Sequence, residues 1–436
     1  MTDVANPELT ASAGPMAEER TPAGRGKLYG GIAQVAVSGY GLWAFALGSR
    51  TAHGAETILG FKLVPNAPGG PSPATVPAEP VALTLAALAV VCGLVRIFAP
   101  LGTKALRWLA VGYFVCFVSS FLIWCGAGSG IGINVSGVVE LTATGAVPLV
   151  LGSLSALMCE RSGVVNIAVE GQFLLGAFAS TLTATMTGSI WAGLVSGMLG
   201  GVLISALLAV FANRYLIEQV VLGIVIDTLA AGLTGFFYDR LMANNPTRYD
   251  APPLFGALRI PGLASIPVIG PLFDQNIIFY AAYVMVPVLW YLLMRTRWGL
   301  RTRAVGEHPT AADTVGVKVV GLRYRNVLMA GLLSGLGGAW MTIGSVGPFD
   351  KDMSSGRGYV AIAALIVGRW SPYGALGASL LFGFALELNQ ALSSLQTPIP
   401  GVVLQMAPYL TTIFVVAALG GLVRPPAASN KPYVKG

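Results

Sequence analysis

Twelve apolar runs separated by polar breaks leave this chain few possible folds. They lie near 30–48, 81–99, 105–125, 138–158, 164–187, 190–212, 219–238, 277–294, 326–346, 358–368, 373–391 and 402–422. A bilayer's hydrocarbon is about 30 Å thick and takes roughly 20 helical residues to cross. Inside it only helices and closed barrels satisfy every backbone polar group. The pattern predicts an all-α class: a polytopic membrane helix bundle of about 11–12 transmembrane or broken helices. Only 10% of the residues are charged, against roughly 25% in soluble domains. The run 358–368 is too short to span and ends at Gly368-Arg369-Trp370-Ser371-Pro372, so with 373–391 it reads as a broken helix.

The net charge of +7 does not form a nucleic-acid stripe, because Lys and Arg gather in the breaks between runs, where they set orientation. With the N-terminus cytosolic, 19 of the 26 basic residues fall inside. Both termini are therefore expected in the cytosol. Residues 1–28 are polar, with no apolar core of signal-peptide type, and read as a disordered cytosolic tail. The first membrane helix is then expected to serve as an uncleaved insertion signal. Residues 29–137 form an additional N-terminal transmembrane region whose external loop 63–80 is proline-rich, hence extended or disordered. Residues 426–436 read as a second cytosolic tail. The outside loop 239–276 carries Leu254, Phe255 and Ile269, apolar enough for part of it to pack on the membrane surface. Gly193, Gly197 and Gly201, and Gly331 and Gly335, stand at helix-packing spacing.

One break stands apart. Gly306, Glu307, His308, Pro309, Thr310, Ala311, Ala312, Asp313, Thr314, Val315 and Gly316 are flanked by seven basic residues, Arg295, Arg297, Arg301 and Arg303 before and Lys318, Arg323 and Arg325 after. Pro309 suits a first helical position, where its missing N–H is unpaired anyway. Ala311, Ala312 and Val315 are expected on one face. A small helix offered to the cytosol by a membrane protein points to a docking partner.

Moving a polar solute requires polar groups inside the bundle, and a charge at a helix centre costs about 2.5–3.5 kcal/mol on insertion scales. The solute-path candidates are therefore few. Glu170 and Asp227 fall well inside helices, and Glu140 and Glu387 nearer the outer ends; Asn166, Gln172, Asn389 and Gln390 are neutral neighbours. For Glu170 two roles stay open: contact with a solute or gate, and a hydrogen bond to a broken helix. Asp227 has no basic residue within a helical turn and needs protonation or a partner on another helix. The two isolated histidines and four scattered cysteines form no metal site. No GxxxxGK[ST] occurs, so ATP is not bound by a Walker loop of this chain. An enzyme for lipid-linked substrates has only Asp239 and Asp250 in its favour.

Three stretches together resemble one family. Residues 159–172, Cys-Glu-Arg-Ser-Gly-Val-Val-Asn-Ile-Ala-Val-Glu-Gly-Gln, resemble the signature of permease subunits of ribose-type and nucleoside-type ABC importers. Residues 306–316 are similar to that family's cytosolic coupling loop, and 356–384 to its C-terminal half. The resemblance covers roughly 138–425, and the Glu-Arg-Ser-Gly-Val-Val-Asn form looks most like the nucleoside ("simple sugar") branch. It implies a multi-pass protein of the bacterial plasma membrane that is not itself an enzyme. The implied partners are a second, different permease, two ABC ATPase subunits and a substrate-binding lipoprotein. ATP and Mg would sit on the ATPases, with no cofactor on this chain. The implied motion is alternating access, driven by ATPases pressing on the coupling helix. Two departures stand out: His308 replaces the family's usual Asn helix cap, and residues 1–137 lie outside the resemblance. The competing reading is a secondary transporter driven by an ion gradient, with Glu170 or Asp227 carrying the proton.

Overall fold

Apolar runs of this length become helices because the helix satisfies its own backbone, and the structure follows them. The computed structural model describes residues 23–47, 56–60, 74–127, 133–393, 406 and 424–434. The first helix, α1 (Ala23–Leu47), starts inside the stretch expected to be disordered; residues 1–22 lie outside the described residues. Strand β1 (Glu56–Gly60) pairs antiparallel with β2 (Ala74–Pro77) and parallel with β3 (Ile133–Asn134). Between β2 and β3 run α2 (Ala78–Phe98) and α3 (Thr103–Gly126). The proline-rich loop therefore ends earlier than expected. Residues 61–73 lie outside the described residues, 74–77 form β2, and Pro80 sits in the first turn of α2, where it removes no helical hydrogen bond.

The core comprises α4 (Val135–Glu160), α5 (Val169–Thr187), α6 (Ile190–Asn213) and α7 (Gln219–Phe237), the last extended by a π turn at Tyr238–Met242. A connection follows with the single turn α8 (Pro246–Tyr249) and the strand pair β4 (Leu258–Arg259) and β5 (Asp274–Gln275). Next come α9 (Ile277–Arg295), α10 (Arg297–Glu307), α11 (Pro309–Thr314) and α12 (Val319–Met341), the last with a π turn at Thr342–Val346. The interrupted helix resolves into α13 (Arg357–Val367) and α14 (Pro372–Ser393). The run 402–422 lies outside the described residues apart from Met406. Among the described residues seven helices are long and apolar enough to span a membrane, those of α2, α3, α4, α6, α7, α9 and α12, while α13 and the Pro372–Leu388 part of α14 are shorter apolar helices.

Burial ranks these helices. Of their most apolar stretches, 78% is buried in α4 and 72% in α12, against 22% in α2 and in α3, so α4 and α12 form the axis and the N-terminal helices a flank. The glycine stripes explain how α6 closes on α12. A Cβ on Gly201 of α6 would stand 2.2 Å from the Gly331 carbonyl oxygen of α12, and one on Gly335 would stand 2.5 Å from that of Gly197. Backbone therefore touches backbone, which in lipid replaces the hydrophobic drive. The flank is held by specific contacts. Ser120 Oγ donates to the Ala82 carbonyl at 2.6 Å, Thr57 Oγ1 to that of Ile123 at 2.8 Å, and Phe114 meets Phe384 of α14 edge-on. In the 239–276 connection, Leu254 and Ile269 are exposed, whereas Phe255 packs on the core edge-on to Trp191.

Candidate functional site

Residues 306–316 end α10 and form α11. Pro309 occupies the first helical position; His308 precedes it at the cap without a side-chain hydrogen bond, as expected of a weaker cap than Asn. Gly316 ends the helix in the left-handed region, at φ 84°. The Val317 N–H reaches the Ala312 carbonyl (3.0 Å) and the Gly316 N–H that of Asp313 (2.9 Å), the paired closure that favours glycine there. Gly306 is required for another reason: a Cβ would stand 2.3 Å from the Arg161 carbonyl oxygen.

The expected single face of α11 is divided. Ala311 and Val315, four residues apart, are exposed, and Val315 is 79% accessible. Ala312, about 100° further round the helix, is 4% accessible and packs with Val305, Val319 and Tyr433. Glu307 and His308 are exposed and Asp313 is half-buried. Asn326 of α12 ties α10 to the bundle, accepting from Trp298 Nε1 (3.0 Å) and donating to Thr302 Oγ1 (3.2 Å).

Arg161, in van der Waals reach of Gly306, leads towards the broken helix. Its guanidinium donates to the Trp370 carbonyl, with Nη2 at 2.5 Å and Nε at 3.2 Å, while Trp370 Nε1 donates to Glu160 Oε2 at 2.5 Å. Burial draws the Arg161 pKa down, Glu307 opposes that shift and Arg303 adds to it. Arg369 and Trp370 both adopt left-handed φ (56° and 50°), at roughly 1–2 kcal/mol each for residues with a Cβ. The grip of Glu160 and Arg161 holds that turn.

From this turn α13 rises only eleven residues, about 16 Å or half a hydrocarbon layer. A helix of that length starting at one face of a hydrocarbon layer would end inside it, and the N-terminus of α13 is preceded by a non-helical segment in which Pro348, Asp350, Lys351, Asp352 and Ser355 are exposed. Irregular backbone survives at such depth only when covered by protein or lining a cavity. Glu170 satisfies its end. Glu170 Oε1 accepts from the Gly356 N–H (2.7 Å) and Ser354 Oγ (2.6 Å), and Oε2 accepts from the Gly358 N–H (2.6 Å). Carboxylate oxygens near the unpaired N–H groups of a helix start also complement its dipole. Glu170 is thus not deep within its own helix: residues 161–168 are non-helical and it lies in the first turn of α5.

Asp227, in the middle of α7, repeats the arrangement on α5. Its Oδ1 accepts from the Gly171 N–H at 2.8 Å, and its Oδ2 from the Tyr359 hydroxyl of α13 at 3.0 Å. Three helices are thereby joined in a ring, α7 to α5, α5 to α13 and α13 back to α7. Asn166 and Gln172 form a separate buried knot. Their amides bond each other at 3.2 Å in both directions, Gln172 also bonds Ser205 (2.9 Å) and Ser334 (2.6 Å), and Asn166 bonds Ser155 (3.3 Å). Glu387 lies against α4, where a Cβ on Gly145 would meet its side chain at 2.5 Å. The Asn389 and Gln390 side chains lie outside the described residues. Glu140 accepts from Gln275 Nε2 at 3.0 Å, Asp250 from the Phe349 N–H at 2.7 Å, and Asp239 pairs with Lys351 at 2.6 Å.

The sequence of residues 138–423 matches a known family, that of the branched-chain amino acid transport system permease component. The chain belongs to this permease family. Among its relatives is the guanosine ABC transporter permease NupQ of Bacillus subtilis, 39% identical over 309 residues, covering 69% of this chain and 97% of NupQ. The nucleoside ABC transporter permease NupC of Lactococcus lactis is 37% identical, covering 66% of this chain and 93% of NupC. A second B. subtilis guanosine permease, NupP, is 23% identical, covering 62% and 78%. No solved structure matches. The chain is a multi-pass permease of the cell membrane and a membrane subunit of an ABC importer, which works with separate ATPase and substrate-binding subunits.

Several residues of this permease core escaped sequence reasoning. Glu160 and Arg161 stand in a quoted motif, yet nothing local reveals that they grip Trp370. Gly356 and Gly358 likewise show their purpose only beside Glu170. Tyr359 carried one signal, an aromatic hydroxyl next to a helix break. Arg323 was legible only as a topological charge, whereas it is 1% accessible and bonds the Ser162 carbonyl at 3.1 Å.

Proposed function

We propose that this permease is one of two unlike membrane subunits of an importer for a nucleoside or a related sugar-like solute. The observation that carries the solute class is the 39% identity to a guanosine permease over 97% of that protein. An unlike pair is supported by the two guanosine permeases of one organism, NupQ and NupP, to which this chain is unequally similar. In this reading residues 306–316 and both termini face the cytosol, as the basic residues favour. ATP and Mg are held by the ATPases, and a binding lipoprotein delivers solute at the opposite face.

The ATPases dock on the exposed side of α11, at Ala311 and Val315, and press on it. The push passes from Gly306 to the Arg161 backbone against which it packs, and from Arg161 to Trp370 at the foot of α13. Because α13 is a short rod capped by Glu170, it moves as a unit with the start of α5. The half-exposed face of α13, with Tyr359 at its upper end, borders the solute path. Glu170 and Asp227 shape that path by holding helix ends, since their oxygens are already engaged. The same engagement favours a positioning role for both carboxylates over the proton carriage that the secondary-transport reading requires.

The test is uptake of tritiated guanosine into proteoliposomes holding this chain, its partner permease and ATPases, with the binding protein supplied outside. ATP-dependent uptake, displaced by unlabelled nucleosides, is expected. Uptake by this chain alone under a proton gradient would sink the proposal.

A further inference from the structure

Eleven residues beyond the family match, 424–434, cross the same face as α11 and are tied to five separate places. The Ala428 N–H donates to the Gly306 carbonyl at 2.9 Å, and the Ala427 N–H to Glu307 Oε2 at 3.2 Å. Asn430 Nδ2 donates to Glu218 Oε1, just before α7, at 2.9 Å. Arg323 Nη1 of α12 donates to the Lys431 carbonyl at 3.2 Å. Tyr433 is 8% accessible, its ring set among Val305, Ala312 and Val319. The local sequence suits this path. Pro425, Pro426 and Pro432 reduce the freedom lost on ordering, and Asn430 takes the left-handed φ (59°) of the turn, which asparagine tolerates.

These ties answer a mechanical problem. At six residues α11 is shorter than any helix stable in isolation, and Ala312 is its one buried residue. A single methyl offers little area to hold a helix against a load. The Tyr433 ring supplies the missing contact, and the ties to Glu218 and Arg323 spread it to α7 and α12. We propose that residues 424–434 form a strap that seats α11 on the bundle, with Tyr433 as its positioning residue, so that force applied to α11 moves the bundle rather than tilting α11 alone.

The inference rests on the docking of ATPases at α11 and is tested on the complete complex. Guanosine uptake and ATP hydrolysis are measured together for wild type, Tyr433→Ala, Tyr433→Phe and deletion of 424–436. ATPases are expected to co-purify with all four, with hydrolysis within about twofold of wild type. Guanosine moved per ATP should fall at least tenfold in Tyr433→Ala and in the deletion, and Tyr433→Phe, which keeps the ring, should restore most of it. Unchanged coupling in Tyr433→Ala overturns the strap. So does loss of the ATPases from Tyr433→Ala, which would make the segment a docking surface instead. Hydrogen exchange of the α11 amides supplies a readout independent of solute and of a damaging deletion: Asn430→Ala should speed it at least fivefold, and unchanged exchange refutes the proposal. A wild-type complex without ATPases would instead refute the docking reading beneath it.

Discussion

Replacing Glu170 by Gln and Asp227 by Asn separates helix capping from proton carriage, because the two changes are chemically alike but structurally unequal. Glu170 accepts from two backbone N–H groups, one on each oxygen, and from Ser354. An amide in its place has one acceptor. Whichever way it turns, its NH₂ faces a backbone N–H, and a backbone donor cannot reverse. At least one bond to a charged acceptor is lost, worth about 1.5–3 kcal/mol, along with a charge at a helix start, worth roughly 0.3–1 kcal/mol. Glu170→Gln should therefore lose roughly 2–4 kcal/mol of stability. Asp227 differs, because its Oδ2 partner is the Tyr359 hydroxyl. The new Asn NH₂ can donate to that hydroxyl, which turns to accept, while Oδ1 keeps the Gly171 N–H. Asp227→Asn should cost under about 1 kcal/mol, the scale of one ordinary net hydrogen bond. The assay is thermal unfolding of each purified variant in mild detergent, with guanosine uptake per folded complex measured in parallel. Glu170→Gln should melt clearly lower; Asp227→Asn should melt near wild type and transport. An Asp227→Asn complex that melts normally yet moves no solute would refute the capping account, as would an unchanged melting temperature for Glu170→Gln.

Other substitutions probe the remaining contacts. Gly201→Ala should destabilise the purified chain by about 1–3 kcal/mol, because its methyl meets backbone of α12. Gly232→Ala, with nothing within 4 Å, should leave the melting temperature unchanged or raised. Val315→Asp should abolish ATPase co-purification while the chain still elutes as a folded species, because Val315 is 79% exposed. Ala312→Arg should instead lower the yield of folded protein, as it forces a charge beneath Tyr433. Trp370→Phe removes the donor to buried Glu160 and should cost about 1–3 kcal/mol, read by thermal unfolding; no change would show the grip on that turn to be dispensable.

The apolar runs that became helices among the described residues, the basic break at 306–316, the short run that became α13 and the glycine stripes were all legible in the sequence. Hydropathy and small-residue spacing are local properties, and a membrane allows few ways to satisfy them. The candidate site was legible as a set of residues and not as an arrangement. Of the two roles left open for Glu170, the geometry matches the bond to a broken helix, yet its partners lie 184 to 188 positions away. Ala312 was assigned to the face of Ala311 and Val315 because helical spacing groups neighbours only coarsely. Tyr433, 121 residues on from Ala312, packs on the side of α11 that is buried. The sequence by itself determined that this chain crosses a membrane many times and presents a basic segment beside it. Only the tertiary structure decided which carboxylate ends which helix and what holds α11. Those pairings are made by hydrogen bonds a few ångströms long between segments far apart in the chain, and local pattern does not record them.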